Sequence, residues 1–201
     1  MFAPELAVPA LIVGVLSYLA GSVSAAILVC RFMALEDPRT TGSGNPGATN
    51  VLRVGGKFPA ALTLLGDALK GFLPVLITSL IVNHPPTIAL AAIAAFIGHL
   101  YPVFFNFEGG KGVATALGAL LGINPAVGAL ALLTWLAVSL TFKRSSLSAL
   151  ATFVLVPAYL LFESQHAFAL AFTLIAAFLF YTHRENISRL MNGTEPVIGK
   201  R

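Results

Sequence analysis

A lysine flanked by glycines, just before a predicted apolar helix, is the pattern in this sequence best suited to binding an anion. Lys111 lies between Gly110 and Gly112 in FEGGKGVAT (residues 107–115, the second polar segment), and a helix is predicted to begin near Val113. Such a turn can place backbone N–H groups, the positive end of a helix dipole and an ammonium group around one ligand. It is not a Walker A loop, because Gly112 occupies the serine or threonine position of that motif. The segment predicts either a phosphate site or a glycine-rich loop whose lysine only orients the chain in a membrane.

A longer stretch, TTGSGNPGATNVLR (residues 40–53, the first polar segment), also combines a flexible backbone with groups that suit phosphate. Its glycines let the backbone curl around a ligand, and the Arg53 guanidinium can bind phosphate through two hydrogen bonds. The uncharged candidates for phosphate binding are Ser43, Gly44, Asn45, Thr49 and Asn50. The glycines match the dinucleotide pattern G-x-G-x-x-G, but no strand precedes them and the chain has no room for a βαβ unit. The open alternatives are a phosphate pocket and a solvated turn.

The third polar segment, HRENISRL (residues 183–190), offers a histidine and an amide on one side of a helix. His183 and Asn186 are three residues apart, so they share a face if the last helix continues through them. Together they could position a hydroxyl group and accept its proton, which makes both catalytic candidates alongside Ser43 and Lys111. A lone histidine at a helix end is more often a cap or an interface residue. The catalytic interpretation therefore depends on a topology that brings the three segments together.

The composition of the chain is that of an all-α integral membrane protein. Of its 201 residues 57% are hydrophobic and only 10% are charged, whereas a soluble domain carries roughly 25% charged residues. Cys30 is the single cysteine, which excludes an internal disulfide, and the four histidines lack metal-ligand spacing, so we expect no metal and no cofactor. The net charge of +4 comes from basic residues in short loops, which indicates orientation in a membrane rather than nucleic-acid binding.

The apolar runs predict about seven helices in a single membrane domain over residues 1–201. We expect these helices near residues 6–29, 58–82, 87–105, 112–123, 125–142, 146–162 and 165–182. The run Val113–Ile123 is a problem, because it gives only about 17 Å of helix against a hydrocarbon core of about 30 Å. It could instead merge with the next run through Asn124 and Pro125, which would remove one crossing.

The positions of the basic residues distinguish seven membrane crossings from six. With seven crossings, all but one of the twelve lysines and arginines fall on one side, and the exception is Lys70 inside a helix. With six crossings, Lys143, Arg144 and the basic C-terminal tail would face the opposite side, against the positive-inside rule. We therefore predict seven helices, with the N-terminus outside and the C-terminus in the cytoplasm. All three polar segments then lie at the cytoplasmic face.

Charged and polar residues within the predicted helices are expected to support this site. Asp67 and Lys70 are three residues apart and can neutralise each other, so a structural ion pair is favoured over direct contact with a substrate. Thr115 is a further supporting candidate, and Arg189 of the third polar segment is another. His99 is interpreted as a hydrogen-bonded residue between helices.

In this order, the three polar segments resemble the three motifs of the bacterial acyl-phosphate:glycerol-3-phosphate acyltransferases, the PlsY family. SYLAGS (Ser17 to Ser22) and the run GHLYPVFFNFEGGKG are also similar to the family, so the resemblance covers nearly the whole chain. One departure is Glu108, at a position where family members often carry lysine.

The resemblance implies an activity. A fatty acyl group would move from acyl phosphate to the 1-hydroxyl of glycerol 3-phosphate, giving lysophosphatidate and phosphate in the first step of phospholipid synthesis. It also implies a multi-pass protein of the bacterial inner membrane, in contact with membrane lipids and functionally coupled to an enzyme that produces acyl phosphate. Neither acyl-CoA nor acyl carrier protein would be a direct donor, and no metal is implied. No histidine is followed by an aspartate five positions on, so the H-x-x-x-x-D mechanism of other glycerolipid acyltransferases is absent.

The same resemblance suggests roles for the candidates. Lys111, the Gly110–Gly112 amides and Ser43 are expected at the acyl phosphate, and Arg53 with Asn186 at glycerol 3-phosphate. His183 would orient or deprotonate the attacking hydroxyl, although a substrate phosphate oxygen could be the base instead. The alternative function is a transporter or channel for a phosphate-bearing anion, which predicts polar residues through several helices to the midplane. Only Asp67 and Lys70 fit that pattern.

Overall fold

The protein, seen in a computed structural model that describes residues 7–198, is built from α-helices with no strand in that range. The helices are α1 (Ala7–Gly21), α2 (Ala25–Phe32), α3 (Ala48–Gly55), α4 (Lys57–Ile81), α5 (Pro85–Leu100), α6 (Val113–Ile123), α7 (Pro125–Phe142), α8 (Ser145–Phe162), α9 (His166–Thr182) and α10 (Arg184–Met191). A short 3-10 turn, Val103–Phe105, follows α5. Leu6, at the expected start of the first helix, and Lys200 and Arg201 of the basic tail lie outside the described residues.

Five stretches are long and apolar enough to cross a membrane. They are Ala7–Phe32, Lys57–Ile81, Pro85–Phe105, Pro125–Phe142 and Ser145–Phe162, and α9 together with α10 makes a sixth if this pair, bent by 63°, counts as one span. Their outer faces carry large exposed apolar side chains; Leu80, Ile81 and Leu140 are each 77% exposed. Surfaces of this kind are stable against lipid rather than against water.

The first predicted helix is interrupted, and this differs from the continuous run expected over residues 6–29. α1 ends at Gly21, and α2 begins after Ser24, whose hydroxyl oxygen accepts the N–H of Ile27 at 3.5 Å. Ser22 turns back on α1 by donating its N–H to the Tyr18 carbonyl at 2.8 Å. Serine side chains satisfy the backbone groups that a helix end leaves free, which is why the break lies here.

The core lies where α5, α6, α8 and α9 meet. Phe96, Leu120, Phe153 and Phe172 are fully buried there, and the rings of Phe153 and Phe172 stack with 6.4 Å between their centroids. α4 packs against the other side of α5 and α6. Burial of these side chains provides a rigid frame for the ends of α5 and α6, which carry the second polar segment.

The short helix α6 begins halfway along α4. A Cβ atom on Gly71, near the middle of α4, would lie 2.9 Å from the carbonyl carbon of Thr115 in the first turn of α6. Gly118 packs in the same way against the backbone of Ala68. α6 therefore runs beside the part of α4 between Ala68 and Val75, and its 11 residues give about 17 Å of helix.

α6 and α7 are separate helices that lie side by side. The Asn124 side chain caps α7 by accepting the N–H groups of Ala126 and Val127 at 3.0 and 3.1 Å. A Cβ on Gly128 would lie 2.9 Å from the Cα of Leu121, whereas residues seven apart in one helix are about 10 Å apart. The chain therefore reverses at Asn124, and the alternative of one continuous helix through Asn124 and Pro125 is wrong.

Candidate active site

Hydrogen bonds between distant parts of the sequence bring the three polar segments to one end of the bundle. The Lys111 ammonium of the second segment donates to the Asn186 Oδ1 of the third. Thr49 of the first segment lies 3.2 Å from Ser145 at the start of α8, between their hydroxyl oxygens. The C-terminal tail closes the group, because the N–H of Ile198 donates to the carbonyl of Lys143 at 2.8 Å.

Lys111 is held at the start of α6 by its backbone. Gly112 has a φ of +85°, which L-residues rarely adopt, and a Cβ there would also collide with the Phe96 ring. Within residues 7–198, the N–H groups of Lys111 and Gly112 form no hydrogen bond with another backbone group. These two amides and the start of α6 therefore form a place where an anion could bind.

The Gly110 amide does not belong to that set. Its N–H donates to the His99 carbonyl at 3.2 Å, so the predicted contact between this amide and phosphate does not fit the structure. Gly110 instead packs against the His99 ring and the Pro46 carbonyl, and the carbonyl oxygen would lie 2.9 Å from a Cβ at this position. Its contribution is to let the second polar segment pass between α5 and the first polar segment.

The Lys111 side chain is cationic in a partly desolvated place. Burial, followed by the positive charge of Arg189, lowers the pKa of Lys111 below its ordinary value, and the carboxylates of Glu195 and Glu185 oppose this only in part. Arg53 adds a further positive charge that lowers the same pKa. A bound anion would reverse this shift, because it would stabilise the ammonium form.

His183 is a neutral histidine, and one of its ring nitrogens already forms a hydrogen bond. It is buried at the junction of α9 and α10, and its Nδ1 lies 2.8 Å from the Leu179 carbonyl oxygen. Since a carbonyl only accepts, Nδ1 carries the hydrogen, and Nε2 is the nitrogen with a free lone pair. Burial, and then the charge of Lys111, lower the pKa of His183 to about 4. The ring is therefore neutral at pH 7 and can accept a hydrogen bond at Nε2.

Asn186 lies between a cation and a carboxylate. Its Oδ1 accepts from Lys111, and its Nδ2 donates to Glu195 Oε1 at 2.6 Å. The orientation of the amide is therefore fixed from both ends. This places Asn186 one turn from His183 on the short helix α10, as the spacing in the sequence predicts.

Glu195 is the residue of this site that the sequence did not reveal. Its buried carboxylate also accepts from the Ser146 hydroxyl at 2.6 Å and from the Arg189 Nε at 2.8 Å. Burial acts to raise the pKa of Glu195, but the hydrogen bonds from Ser146, Asn186 and Arg189 hold it below its ordinary value. The available signal is a carboxylate after the third polar segment, among residues that the sequence analysis uses only for their orientation charges.

Asn50 has a different place from the one predicted. Its Nδ2 donates to the Pro38 and Thr41 carbonyls at 2.8 and 3.0 Å, and its Oδ1 accepts the Ser43 N–H at 2.9 Å. Both N–H bonds of the amide are occupied, so Asn50 has no donor for a phosphate. It shapes the first polar segment from within.

The other phosphate-binding candidates of the first polar segment are at least partly exposed to solvent. Ser43 and Gly44 are exposed, and Asn45 and Thr49 are half-buried. Arg53, in the last turn of α3, is also half-buried, and among the described residues its guanidinium forms no hydrogen bond or ion pair. Arg53 is thus a cation with no carboxylate partner in the described structure, close enough to Lys111 to affect its pKa.

An ion pair connects the residues just before the first polar segment to the edge of the second polar segment. Arg39 pairs with Asp37 at 2.7 Å and with Glu108 at 3.2 Å. The hydrogen bond from Arg39 is the main reason why the pKa of Asp37 is lowered. Glu108, the position that departs from the family pattern, thereby pairs with a cation just before the first polar segment.

Asp67 and Lys70 form the ion pair expected from their spacing. Their Oδ1 and Nζ atoms are 2.8 Å apart, and Lys70 also donates to the Val23 carbonyl at 2.8 Å, in the break between α1 and α2. His99 lies 3.6 Å from the same carboxylate oxygen, and its Nδ1 is 3.1 Å from the Thr115 hydroxyl oxygen. Among residues 7–198, no three or more histidine, cysteine, aspartate and glutamate side chains are grouped so as to hold a metal ion.

Known proteins share both the sequence and the structure of this chain. The profile of the family described as glycerol-3-phosphate acyltransferase matches residues 11–193. The chain is 54% identical over 193 residues to the glycerol-3-phosphate acyltransferase of Thioalkalivibrio sulfidiphilus, covering 96% of this chain and 94% of that one. It is also 54% identical over 184 residues to the enzyme of the same name from Methylococcus capsulatus, covering 91% and 93%.

Two crystal structures of PlsY (YgiH), described as an integral membrane glycerol 3-phosphate acyltransferase, have the same fold. The glycerol 3-phosphate form matches with a TM-score of 0.91 and 36% identity over 95% of this chain and 96% of that one. The lysophosphatidic acid form matches with a TM-score of 0.89 and 35% identity over the same shares. Sequence, fold and the meeting of the three polar segments agree: this chain belongs to the glycerol-3-phosphate acyltransferase (PlsY) family of multi-pass membrane acyltransferases.

Proposed function

We propose that the chain transfers a fatty acyl group from acyl phosphate to the 1-hydroxyl of glycerol 3-phosphate, releasing lysophosphatidate and inorganic phosphate. The observation that carries this proposal is the pair of cations Lys111 and Arg53, which lie at the same end of the bundle beside a neutral histidine. Neither forms an ion pair with a carboxylate of the described residues, whereas Arg39 and Arg189 both do. Two cations without carboxylate partners suit a reaction in which both substrates carry phosphate.

The donor phosphate is assigned to the start of α6. Lys111 provides a cation there, and the amides of Lys111 and Gly112 provide N–H donors. The exposed Ser43 hydroxyl is assigned to the same phosphate, because Ser43 is three residues from Pro46, whose carbonyl packs against Gly110. Arg53 is assigned to the phosphate of glycerol 3-phosphate, together with Asn186. Because phosphate is a good leaving group, positioning the hydroxyl and stabilising charge account for most of the catalysis.

His183 receives the role of orienting the attacking hydroxyl. In the transfer, the 1-oxygen of glycerol 3-phosphate bonds to the acyl carbon, the bond from that carbon to the phosphate oxygen breaks, and the hydroxyl proton must leave. A pKa of about 4 makes His183 a weaker base than a phosphate group, whose second pKa is about 6. This favours a substrate phosphate oxygen as the final proton acceptor, with His183 Nε2 accepting the hydroxyl hydrogen bond. General-base catalysis by His183 remains the competing assignment.

The membrane arrangement is part of the same proposal. Seven crossings, with α6 covering only the far half of the bundle, place the N-terminus outside and the C-terminus in the cytoplasm. Residues 1–201 then form a single domain in the bacterial inner membrane, with the site at the cytoplasmic face. The acyl chain lies among membrane lipids, and an enzyme that produces acyl phosphate must supply the donor.

The alternative function, transport of a phosphate-bearing anion, is not favoured. It requires polar groups along a path through several helices. The buried group at mid-depth pairs Asp67 with Lys70 and His99 with Thr115, so its charges are neutralised within the bundle.

The experiment is acyl transfer by the purified protein from palmitoyl phosphate to labelled glycerol 3-phosphate. We expect labelled lysophosphatidate, with no product when palmitoyl-CoA or palmitoyl-acyl carrier protein replaces the acyl phosphate. The Lys111→Ala variant, checked for folding, is the control for contaminating activity. Product formed equally well from palmitoyl-CoA, or uptake of glycerol 3-phosphate into proteoliposomes without acyl transfer, would contradict the proposal.

A further inference from the structure

His99 is the residue through which the buried polar group at mid-depth contacts the second polar segment. It lies in the last turn of α5, with its side chain 5% exposed. The Nδ1 side of its ring faces α4 and α6, at 3.6 Å from Asp67 Oδ1 and 3.1 Å from Thr115 Oγ1. Helices α4, α5 and α6 thus meet at one imidazole.

The opposite side of the ring supports the glycine loop. The Nε2 atom packs so closely on Gly110 that a Cβ there would collide with it, and the His99 carbonyl accepts the Gly110 N–H at 3.2 Å. Gly109 packs against the same carbonyl. Side chain and backbone of one residue therefore hold the two residues that precede Lys111.

The first polar segment also packs against this loop, which limits where the loop can move. The Pro46 carbonyl and the His99 ring both lie on the side of Gly110 to which a Cβ would project. If the ring were smaller, Gly110 could move toward α5, and the Lys111 ammonium would move away from Asn186. A shift of about 1 Å in such a group can cost about 10²-fold in rate.

From this geometry, and resting on the proposed role of Lys111 in binding phosphate, we infer that His99 is a positioning residue for acyl transfer. Its ring links the Asp67–Lys70 ion pair and Thr115 to the backbone of Gly110, and so sets the place of Lys111 relative to Asn186. His99 does not contact the substrates. It acts only through Lys111.

The two halves of the ring can be tested separately. His99→Asn keeps a polar group near the Nδ1 position but removes the atoms behind Gly110, whereas His99→Gln reaches the Nε2 position. We expect kcat/KM of folded His99→Asn enzyme to fall by about 10- to 100-fold, and His99→Gln to retain more activity than His99→Asn. Thr78→Val is the matched control, because Thr78 is buried on α4 and its hydroxyl donates to the Pro74 carbonyl of its own helix.

A double-mutant cycle distinguishes positioning from a general effect on folding. If His99 acts through Lys111, then His99→Asn has little further effect in a Lys111→Ala background, because coupled residues are not additive. Thr78→Val should change activity by the same small factor in both backgrounds. The inference is overturned if the loss of kcat/KM in the double variant equals the product of the losses in His99→Asn and Lys111→Ala. It is also overturned if His99→Asn has the kcat/KM of wild type.

The same cycle separates this inference from the proposed function. Near-normal kinetics in Lys111→Ala alone would refute the phosphate-binding role of Lys111 and therefore the basis of the inference. If Lys111→Ala is strongly impaired and His99→Asn lowers kcat/KM by the same further factor in that background, only the positioning role of His99 is refuted. Specific activity is measured per folded protein after size-exclusion chromatography, so a loss of yield does not count as a loss of rate.

Discussion

Two carboxylates of this protein, Asp67 inside the bundle and Glu195 at its polar end, are buried to a similar degree but have different surroundings. Asp67 is 3% exposed and Glu195 is 7% exposed. The cation beside Asp67 has a side chain that is only 8% exposed, while the arginine beside Glu195 is 38% exposed. Water can therefore replace a lost partner at Glu195 but not at Asp67.

Because of this difference, we expect Asp67 to contribute to the stability of the fold and Glu195 to the alignment of the active-site side chains. Asp67 lies on a helix long and apolar enough to span the membrane, and its loss would leave the Lys70 ammonium unpaired in a region without water. Glu195 lies in the tail, and its hydrogen bond to Asn186 leads directly to Lys111. The first carboxylate is expected to matter mainly for folding and the second mainly for rate.

The largest expected effect is on stability, at Asp67. Asp67→Ala should reduce the free energy of unfolding by about 3–5 kcal/mol, because it leaves a buried charge without its partner. Thermal unfolding in detergent measures this loss. The double variant Asp67→Asn with Lys70→Met, which removes both charges, should recover much of it. An Asp67→Ala protein that is as stable as wild type but inactive would break the comparison.

Next in size is the loss of activity at the two cations without carboxylate partners. Lys111→Ala and Arg53→Ala should each lower kcat/KM by about 10²-fold, or about 2.7 kcal/mol of transition-state stabilisation. Unfolding temperatures should change little. Arg53→Lys should recover little activity, since an ammonium cannot form the paired hydrogen bonds of a guanidinium. Folded variants with near-normal kinetics would contradict the assigned phosphate contacts.

A smaller loss of activity is expected at Glu195. Glu195→Gln keeps the shape of the side chain but removes the charge that holds Arg189 and orients Asn186, and we expect kcat/KM to fall by about 10-fold. The control is Glu185→Gln, because Glu185 is exposed and lies 3.9 Å from Arg189. That variant should stay within about 2-fold of wild type. Equal losses in the two variants would show that Glu195 acts only through the charge of Arg189.

The smallest effect concerns pH and His183. Since the pKa of His183 is lowered to about 4, the ring stays neutral above that value, and any contribution of its Nε2 is lost only as pH falls through about 4. A fall in rate near pH 6 then belongs to a substrate phosphate, and it should be present in both wild type and His183→Gln. Profiles of kcat against pH measure this. A step near pH 6.5 that disappears in His183→Gln would assign the base to His183 instead.

The fold could be predicted from the sequence wherever an apolar run ends at a clear signal. Asn124 followed by Pro125 marks a helix start, because asparagine caps and proline is tolerated in the first turn. The break at Ser22–Ser24 gave no such signal, since small residues in an apolar run continue a helix equally well. The meeting of three polar segments followed from charge placement alone, because loops on one side of a helical bundle must share an end.

The misassigned contacts depended on tertiary structure. Asn50 and Gly110 have the right chemistry for phosphate, but carbonyl groups of their neighbours occupy their N–H donors. Sequence patterns show which groups can donate, not which have already found an acceptor. Glu195 was missed because the tail that contains it follows no helical period, and its partners lie on α8 and α10.

The depth at which α6 begins has a consequence for how the protein is made. A segment must have about 20 apolar residues to enter a bilayer as an independent span, and Val113–Ile123 has 11. In the proposed arrangement of seven crossings, α6 would therefore enter the membrane together with α7, as a helical hairpin whose tip is Asn124, and then pack against Gly71 of α4. A ribosome stalled before α7 emerges would leave the whole second polar segment, with Lys111, unanchored in the interface.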